Sequence, residues 1–106
     1  LLGICYGAEI LALTLGGTIR KSTSIQKGDE IIEILENNLT SKKSITVFES
    51  HAFEISKLPP MLITTGKSKN CKYEIIKHKE KSIFGTQFHP EMSIDGNNLI
   101  ENFCSL

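Results

Sequence analysis

The first twelve residues, LLGICYGAEILA (residues 1–12), predict a strand, a tight turn and a helix in immediate succession. Residues 1–4 are a short apolar run bounded by glycine, which is typical of a central parallel strand covered on both faces. Residues 8–15 are nearly all strong helix formers, and the glycine pair that follows them supplies the stop. The turn between the two elements, GICYG, holds one cysteine, Cys5, between two glycines.

Cys5 is the candidate nucleophile of this turn. A side chain at a strand-to-helix turn sits on strained backbone at the carboxyl edge of the sheet, and flanking glycines relieve the crowding. The following helix aims N–H groups and its positive dipole end at the sulfur, which favours thiolate, and the backbone N–H of Tyr6 is placed to bind an oxyanion. A free cysteine is most often a small buried hydrophobic residue, and we interpret Cys71, expected in a strand, and Cys104, expected in the closing helix, in that way.

The segment GTQFHPE (residues 85–91) offers the base that a thiolate nucleophile requires. An apolar strand ends at His89, and Glu91 follows two residues later. Because Pro90 restricts the turn, the Glu91 carboxylate can bond the imidazole and support its cationic form. A lone histidine at a strand end is usually structural or exposed, but combined with the cysteine turn this triplet predicts a Cys-His-Glu site.

The remaining residues predict further strands and a closing helix. Strands are predicted by β-branched and aromatic content at residues 31–35, 45–48, 61–65, 73–76 and 82–88, with residues 77–81 as a charged hairpin tip. The polar residues 18–27 are left unassigned. Near the end, Leu99, Ile100 and Phe103 share one helical face. The predicted fold class is α/β: a layered sheet, mostly parallel with an antiparallel portion.

Composition narrows the class of protein. The chain has 106 residues, 12 basic and 12 acidic side chains, and pI near 7.0, which suits part or all of one domain and gives no bulk attraction to nucleic acid or to a membrane surface. Its three cysteines are widely spaced and form no CxxC pair, so a disulfide framework is not indicated and a reducing cytoplasm fits best. We expect no nucleic-acid partner and no membrane segment.

Four stretches together resemble the class I, or triad-type, glutamine amidotransferases: residues 3–12, 16–17, 49–55 and 85–91. The resemblance runs nearly the whole length of the chain, and its first and last motifs are specific. Within the family, the middle stretch and the lysine-rich hairpin are most similar to the glutaminase part of GMP synthases, especially the separate archaeal-type subunits. The resemblance implies a flavodoxin-like sheet.

The resemblance also implies a reaction. Cys5 would attack the side-chain amide of glutamine, His89 would pass a proton to the departing ammonia, and Glu91 would orient His89. Water would then release glutamate from a glutamyl thioester, with no cofactor and no metal. The ammonia would go to a synthetase partner, which in GMP synthases aminates an adenylylated xanthosine monophosphate.

A substrate pocket is implied by the same resemblance. Ser50, His51, Ala52 and Phe53 match the family segment that lines the glutamine pocket, chiefly through backbone groups near the last two. Without the resemblance, Ser50 and His51 would be an unremarkable loop.

Glu9 departs from the family pattern, which usually has glutamine at this position of the pocket. At about 7 Å and an effective dielectric of about 20, its carboxylate would oppose ionisation of Cys5 by about 2 kcal/mol, whereas protonated His89 at about 4 Å would favour it by about 4 kcal/mol. The ion pair between the Cys5 thiolate and protonated His89 is therefore expected to form, with glutamine binding altered. The simpler interpretation is that Glu9 points to solvent.

A second departure is the lack of the family's amino-terminal half, which carries further strands and a glycine-rich loop with a second oxyanion N–H. We therefore expect residues 1–106 to be the C-terminal portion of a single amidotransferase domain.

Three alternatives stay open. One is a different triad amide hydrolase, such as a γ-glutamyl peptide hydrolase. Another is a catalytically weak regulatory or interaction module with the same fold. A metal site built from His51, His78 and His89 is a more distant alternative, because their spacing matches no ligand pattern.

Overall fold

The predicted strand, turn and helix at the start of the chain lead into a single six-stranded sheet. The computed structural model describes residues 1–106. The elements in chain order are β1 (Leu2–Ile4), α1 (Tyr6–Thr14), β2 (Thr18–Ile34), β3 (Ser44–Lys57), β4 (Leu62–Lys67), β5 (Ile75–His78), β6 (Phe84–Thr86), a 3₁₀ helix (Pro90–Met92) and α2 (Ile94–Cys104).

The strands lie in the order β1-β6-β5-β4-β2-β3. β1 and β6 are parallel, with Ile4 opposite Thr86, and every other pairing is antiparallel. The α/β class is confirmed, but antiparallel pairing takes a larger share of this chain than the sequence predicts. The reason is connectivity: β2 to β6 follow one another through short turns, and parallel neighbours would need a longer crossover.

The polar segment at residues 18–27, which the sequence leaves unassigned, is the first half of β2. It pairs with β3 from Thr18 opposite Lys57 onward, with an irregularity between Lys21 and Gln26. Most of its side chains are exposed. Backbone pairing with β3 therefore makes this segment a strand, and its side chains supply no apolar pattern that would predict one.

Two hydrophobic clusters cover the two faces of the sheet. Ile75 and Ile76 are adjacent in β5 and point to opposite faces, so each belongs to a different cluster. The cluster beneath α1 contains Ala8, Ala12, Ile55, Leu62 and Ile76. The larger cluster beneath α2 contains Ile32, Leu39, Ile45, Val47, Ile75, Phe84, Phe88 and Leu99.

Helix α2 packs on the sheet through Leu99 and Phe103 of the predicted apolar face, whereas Ile100 is half-buried and belongs to neither cluster. Leu99 is fully buried, and the Phe103 ring meets the Phe84 ring edge to face with centroids 5.7 Å apart. The side chain of Ser93 caps the helix by accepting from the Gly96 N–H at 2.9 Å.

The positions of two cysteines differ from the sequence prediction. Cys71 is buried, as predicted, but it lies in the loop between β4 and β5 and not in a strand. Cys104 is exposed at the end of α2, and so it is not a buried hydrophobic residue.

The outer edge of β1 has no strand paired to it, since β1 is the first strand of the sheet. Beside it lies a largely apolar groove of about 440 Å³ lined by Leu1, Leu2, Gly3, Ile4, Gly7, Ile10, Leu11 and Thr14. Neither helix is long and apolar enough to cross a membrane.

Gly96 sets how closely α2 approaches the 3₁₀ helix that carries Glu91. A Cβ at this position would overlap the Pro90 backbone. We expect Gly96→Ala to destabilise the chain by about 1–3 kcal/mol, because neither backbone can move aside without disturbing its packing. The measurement is urea unfolding. Asn98→Ala, at an exposed position of the same helix, is the control and should change stability by less than about 0.5 kcal/mol. Equal effects of the two substitutions would contradict this account.

Candidate functional site

Cys5 occupies the only non-glycine backbone position with positive φ, at φ 53° and ψ −105°. It joins β1 directly to α1, and its carbonyl accepts from the N–H groups of Ala8 and Glu9 in the first turn of the helix. A Cβ at Gly3 would lie 2.8 Å from the Gly7 backbone, so this close turn requires glycine there. A Cβ at Gly7 would meet nothing within 4 Å, so only the first of the two glycines relieves crowding in this chain.

The turn lies at the carboxyl ends of two neighbouring parallel strands. Cys5 N–H donates to the Thr86 carbonyl at 2.6 Å, and this bond extends the pairing of β1 with β6 by one residue. Three residues past Thr86, the His89 N–H donates to the Phe48 carbonyl of β3 at 2.9 Å. The sheet therefore brings the cysteine turn, the GTQFHPE segment and the middle of β3 to one edge.

His89 and Glu91 form a pair, as the sequence predicts. The His89 Nδ1 and the Glu91 Oε2 are 3.0 Å apart, and both side chains are partly exposed. Because Nδ1 faces the carboxylate, Nε2 is left free for another partner. No hydrogen bond joins this ring to the sulfur of Cys5; the thiol instead donates to the Ser50 carbonyl at 3.8 Å.

Glu9 is buried beside the cysteine, and the interpretation that it points to solvent is wrong. Only 4% of this residue is exposed, and its Oε2 accepts from the Gln87 Nε2 at 2.9 Å. The same Nε2 lies 4.0 Å from the sulfur of Cys5. Gln87 was missed as a site residue, although it belongs to the GTQFHPE motif, because nothing in its sequence context shows that a strand end turns it inward.

The charges around Cys5 oppose its ionisation. Burial raises the pKa of the thiol, and the Glu9 carboxylate raises it further. Glu49 and Glu91 act in the same direction, whereas the backbone N–H of Tyr6, hydrogen-bonded to the sulfur, lowers the pKa. The expectation that the helix terminus favours thiolate is thus met by the Tyr6 N–H alone and is outweighed by burial and by carboxylates.

Ser50, His51, Ala52 and Phe53 lie in β3 and not in a loop. Ser50 and Phe53 are exposed, whereas His51 is buried with both ring nitrogens bonded. His51 Nε2 lies 2.6 Å from Glu49 Oε1, and Nδ1 donates to the Phe53 carbonyl at 2.9 Å. An incoming molecule can therefore contact backbone groups of this stretch and the Phe53 ring. The imidazole of His51 is not available to it.

Glu49 and Glu74 are a second feature that sequence reasoning missed. They lie on β3 and in the loop before β5, with 3% and 1% of the residue exposed, and their carboxyl groups lie close to each other. Burial, followed by this contact, raises the pKa of Glu74 to about 9. The two residues are far apart in sequence, and so no local pattern could have paired them.

The three histidines proposed as a metal site are not gathered together. His78 Nδ1 accepts from the N–H groups of Glu80 and Lys81 in the β5–β6 hairpin, and His51 is occupied by Glu49. No group of three or more His, Cys, Asp or Glu side chains has an arrangement suited to a metal ion.

Sequence comparison identifies relatives along the whole chain. The glutamine-hydrolyzing GMP synthase subunit of Pyrococcus abyssi is 35% identical over 111 residues, which cover 100% of this chain and 59% of that protein. Glutamine-hydrolyzing GMP synthase of Thermosipho melanesiensis is 37% identical over 109 residues, covering 99% of this chain and 21% of that protein. The chain thus spans between about a fifth and three fifths of the length of these relatives.

The fold has matches among solved structures. A protein described as a GMP synthase subunit, from Thermoplasma acidophilum, superposes with a TM-score of 0.92 at 31% identity, over 98% of this chain and 55% of that one. A glutamine amidotransferase from Thermotoga maritima, at 23% identity and a TM-score of 0.77 over 98% of this chain and 46% of that one, shares the fold. The family model described as glutamine amidotransferase class-I matches residues 1–105, and the chain therefore belongs to the class-I glutamine amidotransferase family.

Proposed function

We propose that this chain carries the glutamine-hydrolysing site of an amidotransferase, with Cys5 as nucleophile, His89 as proton carrier and Glu91 as the group that orients His89. The observation that carries the proposal is the strained backbone of Cys5 at the end of β1, beside the strand whose extension supplies the His89–Glu91 pair. Family membership and the names of the relatives support the same chemistry.

The reaction begins with transfer of the thiol proton to His89. Glu91 holds Nδ1, which leaves Nε2 to take this proton. The sulfur then attacks the amide carbon of glutamine, and the negative charge on the amide oxygen is stabilised by the Tyr6 N–H. Collapse of this intermediate breaks the C–N bond, and His89 returns its proton to the leaving nitrogen. Water, deprotonated by His89, cleaves the thioester and releases glutamate.

The substrate would lie between the cysteine turn and β3. Ser50 contacts the sulfur through its carbonyl, and the exposed backbone near Ala52 and Phe53 is available to the amino-acid end of glutamine. Glu9 would lie on the helix side of the same pocket, where its carboxylate can accept from the amide nitrogen of the substrate while keeping its bond to Gln87.

The ammonia would be used by a synthetase partner, and GMP synthesis is the use that the relatives' names support. We further propose that the 106 residues are the C-terminal portion of one amidotransferase domain. The unpaired edge of β1 and the apolar groove beside it are suited to further strands and helices of the same sheet.

A glutamine-like diazoketone tests the nucleophile. In the protein that carries residues 1–106 within its full domain, we expect one covalent adduct, located at Cys5 by peptide mass spectrometry. Cys5→Ser should abolish the adduct, and His89→Asn should slow its formation by about 10²-fold or more because the proton acceptor is lost. Cys104→Ser, which removes the exposed thiol of α2, is the matched control and should leave labelling unchanged. Adducts at Cys104 but not at Cys5 would refute the assignment.

The Glu9 carboxylate is expected to suppress thiolate formation. Since its negative charge raises the pKa of Cys5, Glu9→Gln should lower that pKa and increase the rate of Cys5 alkylation by iodoacetamide at pH 7. The expected gain is about threefold to tenfold, because a lower pKa leaves more of the thiol ionised at pH 7. Glu101→Gln, at an exposed position of α2, should have no effect. An unchanged or slower rate in Glu9→Gln would show that this charge does not act on the sulfur.

The 106-residue chain on its own is expected to hydrolyse glutamine weakly or not at all. Its β1 edge is unpaired, and the Tyr6 N–H is the one oxyanion donor that we assign. Loss of one such donor costs about 10²–10³ in kcat in other enzymes. Glutamate release by the purified chain, measured beside the full domain, is the test. Equal turnover would contradict the proposal that the chain is part of a larger domain.

A further inference from the structure

A row of three buried titratable side chains lies behind the segment of β3 that touches the sulfur. Glu49 and His51 flank Ser50 on β3 and point to the opposite face of the strand, because side chains alternate along it. Glu74 meets Glu49 from the loop before β5. The exposed fractions of Glu49, His51 and Glu74 are 3%, 7% and 1%.

Hydrogen-bond chemistry fixes part of the proton arrangement in this row. His51 Nδ1 faces the Phe53 carbonyl at 2.9 Å, and a carbonyl oxygen can only accept, so Nδ1 carries a proton. His51 Nε2 and Glu49 Oε1 are 2.6 Å apart, so a second proton lies between these two atoms. Glu49 and His51 are therefore joined whether the proton sits on the carboxyl or on the ring.

The contact between Glu49 and Glu74 requires a third proton. Glu49 Oε2 and both oxygens of Glu74 meet no N–H or O–H donor at bonding geometry. Two touching carboxylates cannot both stay ionised when they are cut off from water. Glu74, whose pKa is raised to about 9, is the member that keeps its proton at pH 7, and it donates to Glu49.

The row is tied to Ser50 and Gln87, two of the residues that contact the sulfur of Cys5. Ser50, whose carbonyl accepts from the thiol, is held between the two buried side chains of β3. Gln87, whose amide lies against the sulfur and Glu9, donates its backbone N–H to the Glu74 carbonyl at 2.8 Å. A change in the protonation of the row can therefore affect the sulfur through both the Ser50 carbonyl and the Gln87 amide.

We propose that Glu74, Glu49 and His51 form a proton-sharing chain that positions the Ser50 carbonyl and the Gln87 amide against Cys5. They are positioning residues, and their importance for turnover rests on the proposed function. The proton-sharing chain is intact while Glu74 is protonated. Ionisation of Glu74 places two negative charges in contact and loosens the positions of the Ser50 carbonyl and the Gln87 amide.

Other charged or titratable groups face this row from the elements around it. Burial raises the pKa of Glu49 and Glu30 of β2 raises it further, while the Ser68 hydroxyl opposes the larger effect of burial on the pKa of Glu74. Cys71 stays a neutral thiol, because burial and the nearby Glu74 raise its pKa. Glu54, on the same strand, is satisfied by Arg20 and Ser22. The positive charge of Arg20 is paired with Glu54, and the positive charge that lowers the pKa of Glu74 comes from His51 within the row.

The sign of the pH dependence follows from Glu74. A carboxyl with a raised pKa holds its proton in the folded state above pH 4.5, where the unfolded chain has lost it. Its contribution to stability therefore falls as pH rises from about 4.5 to about 9. Glu74→Gln keeps a neutral donor of the same shape and removes this dependence.

The test compares Glu74→Gln, Glu74→Met and the exposed control Glu101→Gln in urea unfolding and in the alkylation of Cys5 by iodoacetamide between pH 6 and pH 9. Stability of the unmodified protein should fall relative to Glu74→Gln as pH rises. Glu74→Met, which cannot donate to Glu49, should change the Cys5 rate at pH 7 by about threefold or more, and Glu74→Gln should restore it. Cys104, exposed on α2, is the internal reference for alkylation.

A stability difference between the unmodified protein and Glu74→Gln that is constant across this pH range would overturn the proposal. An unchanged Cys5 rate in folded Glu74→Met would also overturn it. If Glu74→Met does not fold, the pH dependence of the stability difference between the unmodified protein and Glu74→Gln still tests the proposal. Neither measurement uses glutamine, so failure of diazoketone labelling at Cys5 would reject the proposed function without touching this result.

Discussion

The parallel pairing of β1 with β6 is the constraint on which the site depends. It ends with the bond from Cys5 N–H to the Thr86 carbonyl at 2.6 Å, which fixes where β1 stops and α1 begins. Gly85 makes this arrangement possible, because a Cβ there would lie 3.0 Å from that of Ala8 in α1 and 2.9 Å from the Ile76 side chain. The helix can pack closely on the strand only while this position has no side chain.

The site also contains several carboxyl groups that are buried away from water. Glu9 and Glu49 are buried near Cys5 and raise the pKa of its thiol, and Glu74 is buried beside Glu49. Charges in such a place are tolerated only when hydrogen-bonded or neutralised. Glu9 has the Gln87 amide, Glu49 has His51, and Glu74 keeps its proton. The resting cysteine is consequently a thiol, and in the proposed reaction its proton passes to His89.

The sequence predicted the features that depend on neighbouring residues. It did not predict those that depend on contacts between residues distant in sequence. The GICYG turn predicts a strained cysteine between strand and helix, because glycine spacing and strand-helix order act within a few residues. The pair of His89 and Glu91 is likewise local. By contrast, residues 18–27 have no strand pattern of their own and become β2 through backbone pairing with β3. The exposure of Cys104 depends on where α2 ends relative to the sheet.

The amino-acid sequence alone predicts the cysteine turn, the histidine-glutamate pair and the family to which these motifs belong. It does not predict that Glu9 faces inward onto Gln87 or that Glu49, His51 and Glu74 share one buried row, because these contacts join distant parts of the chain. Glycine spacing and residue charge can be read directly from neighbouring positions in the sequence. Desolvation and proton sharing arise only when strands that are distant in sequence pack together and bury the same carboxyl groups.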